Sequence, residues 1–469
     1  MSFFQNAQDF VATNNTIQIN VDRSVRNYYQ NATASLEGTN NLTASLPKVS
    51  YRPNSSTLFQ GRRAELDKLK DHFEPAVSQT RRSLLLYGMG GIGKTQICLK
   101  FSYIFWIDAS TVETTILSLR GLPEARAANS DDSAESVVLF ISRLDKEWLL
   151  IFDNADEHIH KFMPPGNSGN IILSSRNPSI GRSTSFNRVE VTQMDEEDAI
   201  SLLLKASCLN ESPVSDELKS TAKAIVTELC CLPLAVDQAG ASIESGLCQI
   251  DDYLRHYSDC RMQLLDDPSF TKASIYEQTV YGTWELSYQE IESRTTKRTP
   301  GPSGSSALVN AVAAQTAILI LETFACLHHD NIGKDIFRRA AADIAREKSD
   351  TSILQGDLLR WNKKGVWDEL HFQSGIRVLL SFSLIKQDRS GTVYSAHPLV
   401  HSWSQDRMPP TKQQLSCKRA NFLLSSSFPS SSSTGKDYQF LGQLVPHITA
   451  NFHLATEAGL EGCAAMLIA

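Results

Sequence analysis

Short apolar runs alternate with helical patterns along the first folded part of the chain. The runs are too short for helices, and each is followed by polar or turn residues, which is typical of buried strands in a parallel sheet. They span residues 83–87, 103–108, 148–153 and 170–174. The pattern therefore predicts an α/β domain over residues 57–190.

The spacing of apolar residues becomes helical from residue 195 onward. Four acidic residues at 195–198 suit the first turn of a helix, and the apolar residues that follow recur every three or four positions. A second helical run covers residues 222–242, and Pro233 within it should break or kink the helix. These patterns predict an all-helical domain over residues 191–292.

A hairpin pattern closes the next part of the chain. A segment rich in serine, proline and glycine at 293–306 is predicted to be a flexible loop. Two helical segments follow, and then two short strands at 383–387 and 392–395 joined by a turn. Helices followed by a small hairpin predict a winged-helix domain over residues 307–410. The expected fold class is therefore a multidomain α/β plus α protein.

The two ends of the chain differ in composition from the centre. Residues 1–56, rich in Asn, Thr and Ser, are predicted to form a low-complexity arm, and residues 411–469 a serine-rich linker followed by the start of a helical region. The most serine-rich stretch covers residues 425–435. The first residues carry no basic and apolar signal segment, and the apolar stretch 307–321 is too short to cross a membrane, so we expect a cytoplasmic protein.

The charge of the chain argues against a nucleic-acid partner. The 469 residues include 45 Lys and Arg against 52 Asp and Glu, which gives a net charge of −7 and a pI near 5.9. An acidic surface does not coat a duplex. The predicted winged helix offers no basic face either, because acidic residues are interspersed among the basic ones at 334–348. The alternative of a nucleic-acid regulator is therefore disfavoured.

One glycine-rich segment carries a specific motif. The residues after the first predicted strand match G-x-x-x-x-G-K-[ST], and a helix is predicted to begin near the lysine. In this motif the loop amides converge on phosphate oxygens, the lysine bridges the outer phosphates and the hydroxyl holds Mg²⁺. The alternative is a glycine turn with a solvated lysine. The predicted nucleotide-binding residues are Gly88, Met89, Gly90, Gly91, Ile92, Gly93, Lys94, Thr95 and Gln96.

Two further residues stand at the ends of predicted strands, where open α/β sheets bind ligands. Asp153 ends an apolar strand in the form of a Walker B segment, so Thr95 and Asp153 are the predicted Mg²⁺ ligands. Arg176 follows the next strand and would contact a γ-phosphate, although a surface arginine is equally compatible with this spacing. Asp153 and Arg176 are the candidate catalytic residues. Asn154 stands where hydrolytic nucleotide-binding enzymes with a Walker B segment often have a second acid, so at most a slow ATPase is expected.

Several segments resemble the motifs of the NB-ARC branch of the STAND signalling NTPases, in particular the fungal NLR-like proteins. The resemblance covers roughly residues 59–407. Two segments depart from the family pattern, because Cys231 replaces a glycine before LPLA and Pro398 replaces an aspartate after the histidine. The segments that carry the resemblance are FQGR at 59–62, SSR at 174–176, LPLA at 232–235, YGTWELS at 281–287 and AHP at 396–398.

The resemblance implies roles for individual residues. Phe59, Gln60 and Arg62 would lie against adenine, and Pro233 would pack on the base. His397 precedes a predicted helix N-terminus, a place suited to an anion, and the resemblance implies a contact with the ADP β-phosphate. Without the resemblance, a lone histidine is more often a packing residue.

As a whole, the resemblance implies an ADP/ATP-binding signalling switch of fungal innate immunity that is closed by ADP and activated by exchange for ATP. We expect an upstream trigger of unknown identity and self-association on activation. In such proteins a C-terminal repeat array senses ligand, and because this chain stops soon after Leu460 we expect the array to be absent or only begun. The alternatives are a turnover ATPase or kinase, and a degenerate family member that binds no nucleotide.

The helix after the phosphate loop is predicted to be short. Only residues 96–102 separate Thr95 from the next predicted strand, whereas family members continue this helix for further turns. Eight helical residues, 94–101, rise about 12 Å, while a strand of five or six residues spans about 17–20 Å. We therefore expect a shortened variant whose phosphate loop is intact but poorly braced.

Overall fold

The computed structural model describes most of the chain between residues 52 and 460. The predicted N-terminal arm lies outside the described part except for residues 52–56. The described residues are 52–74, 80–100, 104–122, 133–144, 148–155, 157–180, 186–210, 213–267, 279–296, 304–347, 354, 358–362, 365–429 and 435–460.

Parallel strands form the central sheet. They are β1 (Arg82–Tyr87), β2 (Ile104–Asp108), β3 (Leu149–Asp153), β4 (Asn170–Ser175) and β5 (Asn187–Glu190). Their order across the sheet is β2-β3-β4-β1-β5. The four strands predicted from apolar runs are confirmed. The strand β5 was not predicted, because most of its side chains are exposed and its sequence, NRVE, lacks the apolar pattern of a buried strand.

The strand β4 separates β1 from β3 and aligns their carboxyl ends. Tyr87 at the end of β1 pairs with Ser175 of β4, and Phe152 of β3 pairs with Leu173. The phosphate loop after β1 and Asp153 at the end of β3 therefore open at the same edge of the sheet. This is the edge at which parallel α/β sheets bind ligands.

The connection from β1 to β2 has to pass over β4 and β3. Three strand spacings of about 4.8 Å make this distance about 14 Å. The helix of the connection, α2 (Lys94–Cys98), has 5 residues instead of the predicted eight. The short helix was thus expected, and the structure makes it shorter still.

Each face of the sheet packs against helices. Leu84 and Leu86 of β1 belong to one core, whereas Leu85 belongs to the other, because successive side chains of a strand point to opposite faces. The helices are α1 (Arg63–Phe73), α3 (Val112–Arg120), α4 (Ala134–Ser142) and a short 3-10 helix (Glu157–Phe162). The first core includes residues of α1, and the second includes residues of α3 and α4.

Helices follow the sheet, as the spacing after residue 195 predicted. They are α5 (Glu196–Ala206), α6 (Asp216–Glu228), α7 (Pro233–Glu244), a 3-10 turn (Ile250–Asp252), α8 (Tyr253–Asp266) and α9 (Val280–Thr296). Pro233 breaks the predicted helical run by becoming the first residue of α7. At this position the missing N–H of proline costs nothing, because it would have no partner within the helix.

Further helices and a small antiparallel sheet occupy residues 304–406. They are α10 (Gly304–Phe324), β6 (Ile332–Gly333), α11 (Lys334–Glu347), α12 (Glu369–Ser381), β7 (Lys386–Gln387), β8 (Val393–Ser395) and α13 (Pro398–Asp406). The strand order is β6-β8-β7. The structure therefore contains the predicted hairpin with shorter strands, and the assignment of a winged helix stays a prediction.

The predicted flexible loop at 293–306 is wrong at both ends. The helix α9 continues to Thr296 and α10 begins inside the segment, while residues 297–303 lie outside the described part. The hydroxyls of Ser293, Thr295 and Thr296 donate hydrogen bonds of 2.9, 2.7 and 3.1 Å to backbone carbonyls three residues earlier. The side chains thus find partners within the helix.

Two helices close the described part, α14 (Pro410–Ser426) and α15 (Gly435–Glu457). The first of them corrects the predicted linker, because it continues into the serine-rich stretch 425–435. Ser427, directly after α14, is fully buried, and its hydroxyl donates to the carbonyl of Leu424 at 2.7 Å. Burial and local hydrogen bonds outweigh the low helix propensity of serine here. Among the described residues, no helix has the length and apolar character needed to cross a membrane.

Candidate nucleotide-binding site

A cavity of about 790 Å³ lies at the carboxyl edge of the sheet. Its size is within the range of small-molecule and cofactor pockets, about 300–1,000 Å³. The structure brings together in its lining most of the residues predicted to bind nucleotide. These are Phe59, Gln60, Arg62, Gly90, Gly91, Gly93, Lys94, Thr95, Gln96, Arg176 and Pro233.

Lys94 is buried in the phosphate loop. Its Nζ atom donates hydrogen bonds of 2.8 Å to the carbonyl of Gly88 and 3.0 Å to the carbonyl of Met89. Burial, followed by the nearby charge of Arg176, lowers the pKa of Lys94 to about 7. The ammonium group therefore contacts two neutral oxygen atoms, where the anionic oxygens of a phosphate would stabilise its charge better.

The backbone of the phosphate loop has the conformation that its glycines allow. Gly91 and Gly93 have φ angles of 76° and 93°, in the left-handed region that side chains with a Cβ rarely adopt. Gly88 does not line the cavity, and neither do Met89 and Ile92, whose side chains are buried in the core. These three residues anchor the loop instead of facing the cavity.

Arg62 fixes the loop from the side. Its φ angle is 61°, and its guanidinium donates hydrogen bonds of 2.7 Å to the carbonyl of Thr192 and 2.9 Å to the carbonyl of Ile92. It also pairs with Glu65 at 2.9 Å. Arg62 therefore holds the segment before α1 against the phosphate loop.

Thr95 and Asp153 meet at the predicted metal site. The Thr95 hydroxyl donates to Oδ1 of Asp153 at 3.0 Å, and Ser174 of the intervening strand β4 donates to the same oxygen. Burial raises the pKa of the Asp153 carboxyl, although both hydrogen bonds and the charge of Lys94 oppose this shift. Asp153 lies below the cavity and does not line it.

The oxygen donors at this point fit a hard cation such as Mg²⁺. In the described part of the chain, no group of three or more His, Cys, Asp or Glu side chains could hold a metal ion. A Mg²⁺ ion at Thr95 and Asp153 would therefore complete its coordination with phosphate and water oxygens. Such sparse protein ligation is typical of Mg²⁺ in nucleotide sites.

Arg176 connects the sheet edge to α9. Its Nη1 atom donates to the carbonyl of Thr283 at 2.8 Å and to the hydroxyl of Ser287, while its own carbonyl accepts from Ser383 after α12. Burial lowers the pKa of Arg176 to about 10, so the side chain stays charged at neutral pH. The two hydroxyl residues of α9 were not predicted individually, although both lie in the YGTWELS segment.

Part of the cavity lining is apolar. Phe59, Met194, Leu202 and Pro233 line it, and the Lys100 ammonium lies 4.3 Å from the centre of the Phe59 ring. This lining suits the flat, uncharged part of a nucleotide better than its phosphates.

The segment before α1 is also tied to the phosphate-loop helix. The side-chain carbonyl of Gln96 accepts a hydrogen bond of 2.8 Å from the backbone amide of Ser56. Both residues line the cavity. This contact brings Phe59 and Gln60 to the same cavity as the phosphate loop.

The structure does not bring His397 to the cavity. Its Nδ1 atom accepts a hydrogen bond of 3.3 Å from the amide of Leu399 and so caps α13. Burial lowers the pKa of His397 to about 4. The other ring nitrogen, Nε2, is buried and has no hydrogen-bond partner among the described residues. The β-phosphate contact therefore stays a prediction, and in this structure His397 is a helix cap.

Comparison with known proteins gives one similar sequence. No protein-family model matches the chain. A nucleotide-binding leucine-rich repeat (NLR)-like protein from Hyaloscypha variabilis is 26% identical over 289 residues, which are 52% of this chain. Over this half of its length the chain is therefore similar in sequence to an NLR-like protein. The chain spans 29% of the length of that NLR-like relative.

Two solved structures show distant similarity to this chain. The first is a STAND protein with a tetratricopeptide repeat sensor from Pyrococcus horikoshii, at 12% identity and a TM-score of 0.31, covering 90% of this chain and 57% of its own. The second is Cdc6p from Pyrobaculum aerophilum, at 12% identity and a TM-score of 0.26, covering 77% of this chain and 97% of its own. Both TM-scores are low, so the fold rests on the sheet and helices described above.

Proposed function

We propose that the chain binds ADP and ATP and acts as a signalling switch that ADP holds closed and ATP opens. One observation carries this proposal: the buried Lys94 ammonium, the Thr95–Asp153 pair and Arg176 meet at the end of the same sheet. These groups match the needs of a bound polyphosphate, namely a cation for its oxygens, a metal site and a second cation nearby.

Each of these side chains would have its own role when a nucleotide binds. Lys94 would exchange the carbonyls of Gly88 and Met89 for phosphate oxygens, which makes its charged form more favourable. Thr95 and Asp153 would hold Mg²⁺, whose charge offsets that of the phosphates when it is bound. A γ-phosphate would compete with Thr283 and Ser287 for Arg176, so Arg176 would make different contacts with ATP bound than with ADP bound.

The origin of the cavity lining favours a switch function more than a turnover enzyme, because three parts of the chain contribute to it. The lining residues come from the proposed domains 57–190, 191–292 and 307–410, represented by Lys94, Pro233 and Phe382. A nucleotide in this cavity would therefore contact all three parts of the chain, and its exchange would change which contacts they share.

The residue after Asp153 gives a second argument against fast turnover. Asn154 is an amide without the basicity needed to polarise water, and its backbone N–H donates to the hydroxyl of Ser174 at 3.1 Å. We therefore expect ATP hydrolysis to be slow. Action in the cytoplasm, self-association on activation and a role in fungal immunity are further parts of the proposal.

A thermal-shift titration with ADP tests the proposal. ADP should raise the melting temperature of the wild-type chain, and Lys94→Ala should abolish this increase, whereas the exposed Lys68→Ala on α1 should retain it. Equal stabilisation of the Lys94→Ala variant would place the nucleotide elsewhere. No stabilisation of the wild-type chain would favour a degenerate protein that binds no nucleotide.

A further inference from the structure

One carboxyl group in the cavity has an unsatisfied oxygen atom. Asp237 lines the cavity, and its Oδ1 atom is buried without a hydrogen-bond partner among the described residues. A buried polar atom without a partner costs free energy, so such an atom in a cavity wall marks a place where a ligand is expected to donate a hydrogen bond.

Asp237 differs in this respect from the other carboxylates of the cavity. Glu113 and Glu290 also line it, but both residues are exposed, and Glu290 pairs with Arg294 at 3.2 Å. Burial raises the pKa of the Asp237 carboxyl to about 6, and no charged group opposes this shift. Asp237 is thus the buried carboxyl of the described cavity lining, and one of its two oxygens has no partner among the described residues.

The position of Asp237 on α7 indicates which part of a nucleotide it faces. The start of α7 lies against the phosphate loop, because the Leu234 amide donates to the carbonyl of Gly91 at 3.3 Å. Asp237 lies four residues after Pro233, about one helical turn of 5.4 Å further along the same face of the helix. A carboxylate beside the phosphates would repel them, so a position one turn away from the phosphate loop suits a contact with the uncharged nucleoside instead.

We propose that Asp237 is a specificity-determining residue that accepts hydrogen bonds from the ribose hydroxyls of the bound nucleotide. This inference rests on the proposed function and assigns it a ligand class, ribonucleoside diphosphates and triphosphates. A carboxylate suits this role because it is an acceptor only, and vicinal hydroxyls present two donors. The same chemistry is used where an acidic residue recognises the ribose hydroxyl of a dinucleotide.

The test compares ADP with 2′-deoxy-ADP and 3′-deoxy-ADP by calorimetry at pH 7.5. The wild-type chain should bind at least one deoxy analogue about tenfold to a hundredfold more weakly than ADP. Asp237→Ala should bring the ratio of these affinities close to one, and Asp237→Asn, which keeps an acceptor oxygen, should preserve part of it. Glu244→Ala, an exposed carboxylate near the end of the same helix, should leave the ratio unchanged.

The outcomes separate the two proposals. If the wild-type chain binds ADP and the Asp237→Ala variant keeps the wild-type ratio, the role of Asp237 is refuted while the nucleotide site stands. If discrimination follows the amino group of adenine instead, shown by weak binding of inosine diphosphate and normal binding of both deoxy analogues, the ribose assignment is refuted. If the wild-type chain binds no ADP, both proposals fail.

Discussion

Because the pKa of Lys94 is low, the affinity for nucleotide should depend on pH. In the free protein the pKa is about 7, so at pH 8.5 only about 3% of Lys94 side chains carry a proton. Bound phosphates favour the charged form and move the pKa back toward 10.5, the ordinary lysine value that burial opposes. If the pKa returns fully from about 7 to 10.5, protonation of Lys94 favours phosphate binding by about 5 kcal/mol, since one pKa unit is about 1.4 kcal/mol.

The direction of the pH dependence follows from whether the free or the bound state holds more protons. The bound state has the higher pKa, so it holds more protons than the free state between the two values, and binding takes up a proton. At pH 8.5 the uptake should approach one proton per ADP. The affinity should fall up to about tenfold for each unit of pH increase above 7, until the pKa of the bound state is reached.

Calorimetry in two buffers measures this uptake directly. The apparent binding enthalpy of ADP is measured at pH 8.5, without added metal, in one buffer of high and one of low ionisation enthalpy. The two values should differ by the number of protons taken up per ADP multiplied by the difference between the ionisation enthalpies of the buffers. Lys94→Arg is the matched control, because arginine remains protonated in both states and should show no buffer dependence. Equal enthalpies in both buffers for the wild-type chain, or equal uptake by the control variant, would refute the assignment of Lys94 to the phosphates.

Three further predictions concern other parts of the chain. His397→Ala should weaken ADP more than ATP, and His397→Asn, which can still cap a helix, separates the cap from the imidazole; an unchanged affinity ratio in calorimetry would identify a packing residue. Inserting two helical turns between Lys100 and Phe101 should raise ADP affinity and melting temperature, and equal values would show that the short crossover is harmless. Asp406→Ala removes the carboxylate that pairs with Arg261 and accepts from the Tyr281 hydroxyl, each at 2.7 Å, and should lower the unfolding free energy measured in urea by about 1–3 kcal/mol. A change below about 0.5 kcal/mol would mean that water replaces the carboxylate for both partners.

The parts of the site that sequence reasoning located depend on local patterns. The phosphate loop and the strand that ends at Asp153 are each defined by a short motif with a fixed spacing. Their meeting at one sheet edge follows from parallel pairing, which the apolar runs indicated. The edge strand β5 was missed because exposure leaves no apolar signal in its sequence.

The residues that sequence reasoning missed act through tertiary contacts. Ser174 reaches Asp153 only because β4 lies between β1 and β3, an order that no single motif specifies. Thr283 and Ser287 contact Arg176 across more than a hundred positions in the sequence. Asp237 carried a weaker signal that was available, since it lies at helical spacing from Pro233. The start of the serine-rich stretch, residues 425–427, was predicted as a linker because composition does not report burial.

The sheet order has a consequence for how the protein is made. Both hydrogen-bonded neighbours of β1, the strands β4 and β5, are synthesised long after it, at residues 170–190. Until then β1 has two unpaired edges and the phosphate loop has no support from Asp153. The loop-closure entropy of these pairings is spent before any nucleotide can bind. We therefore expect a nascent chain that ends near residue 165 to expose β1 with both edges unpaired, which favours aggregation or chaperone binding.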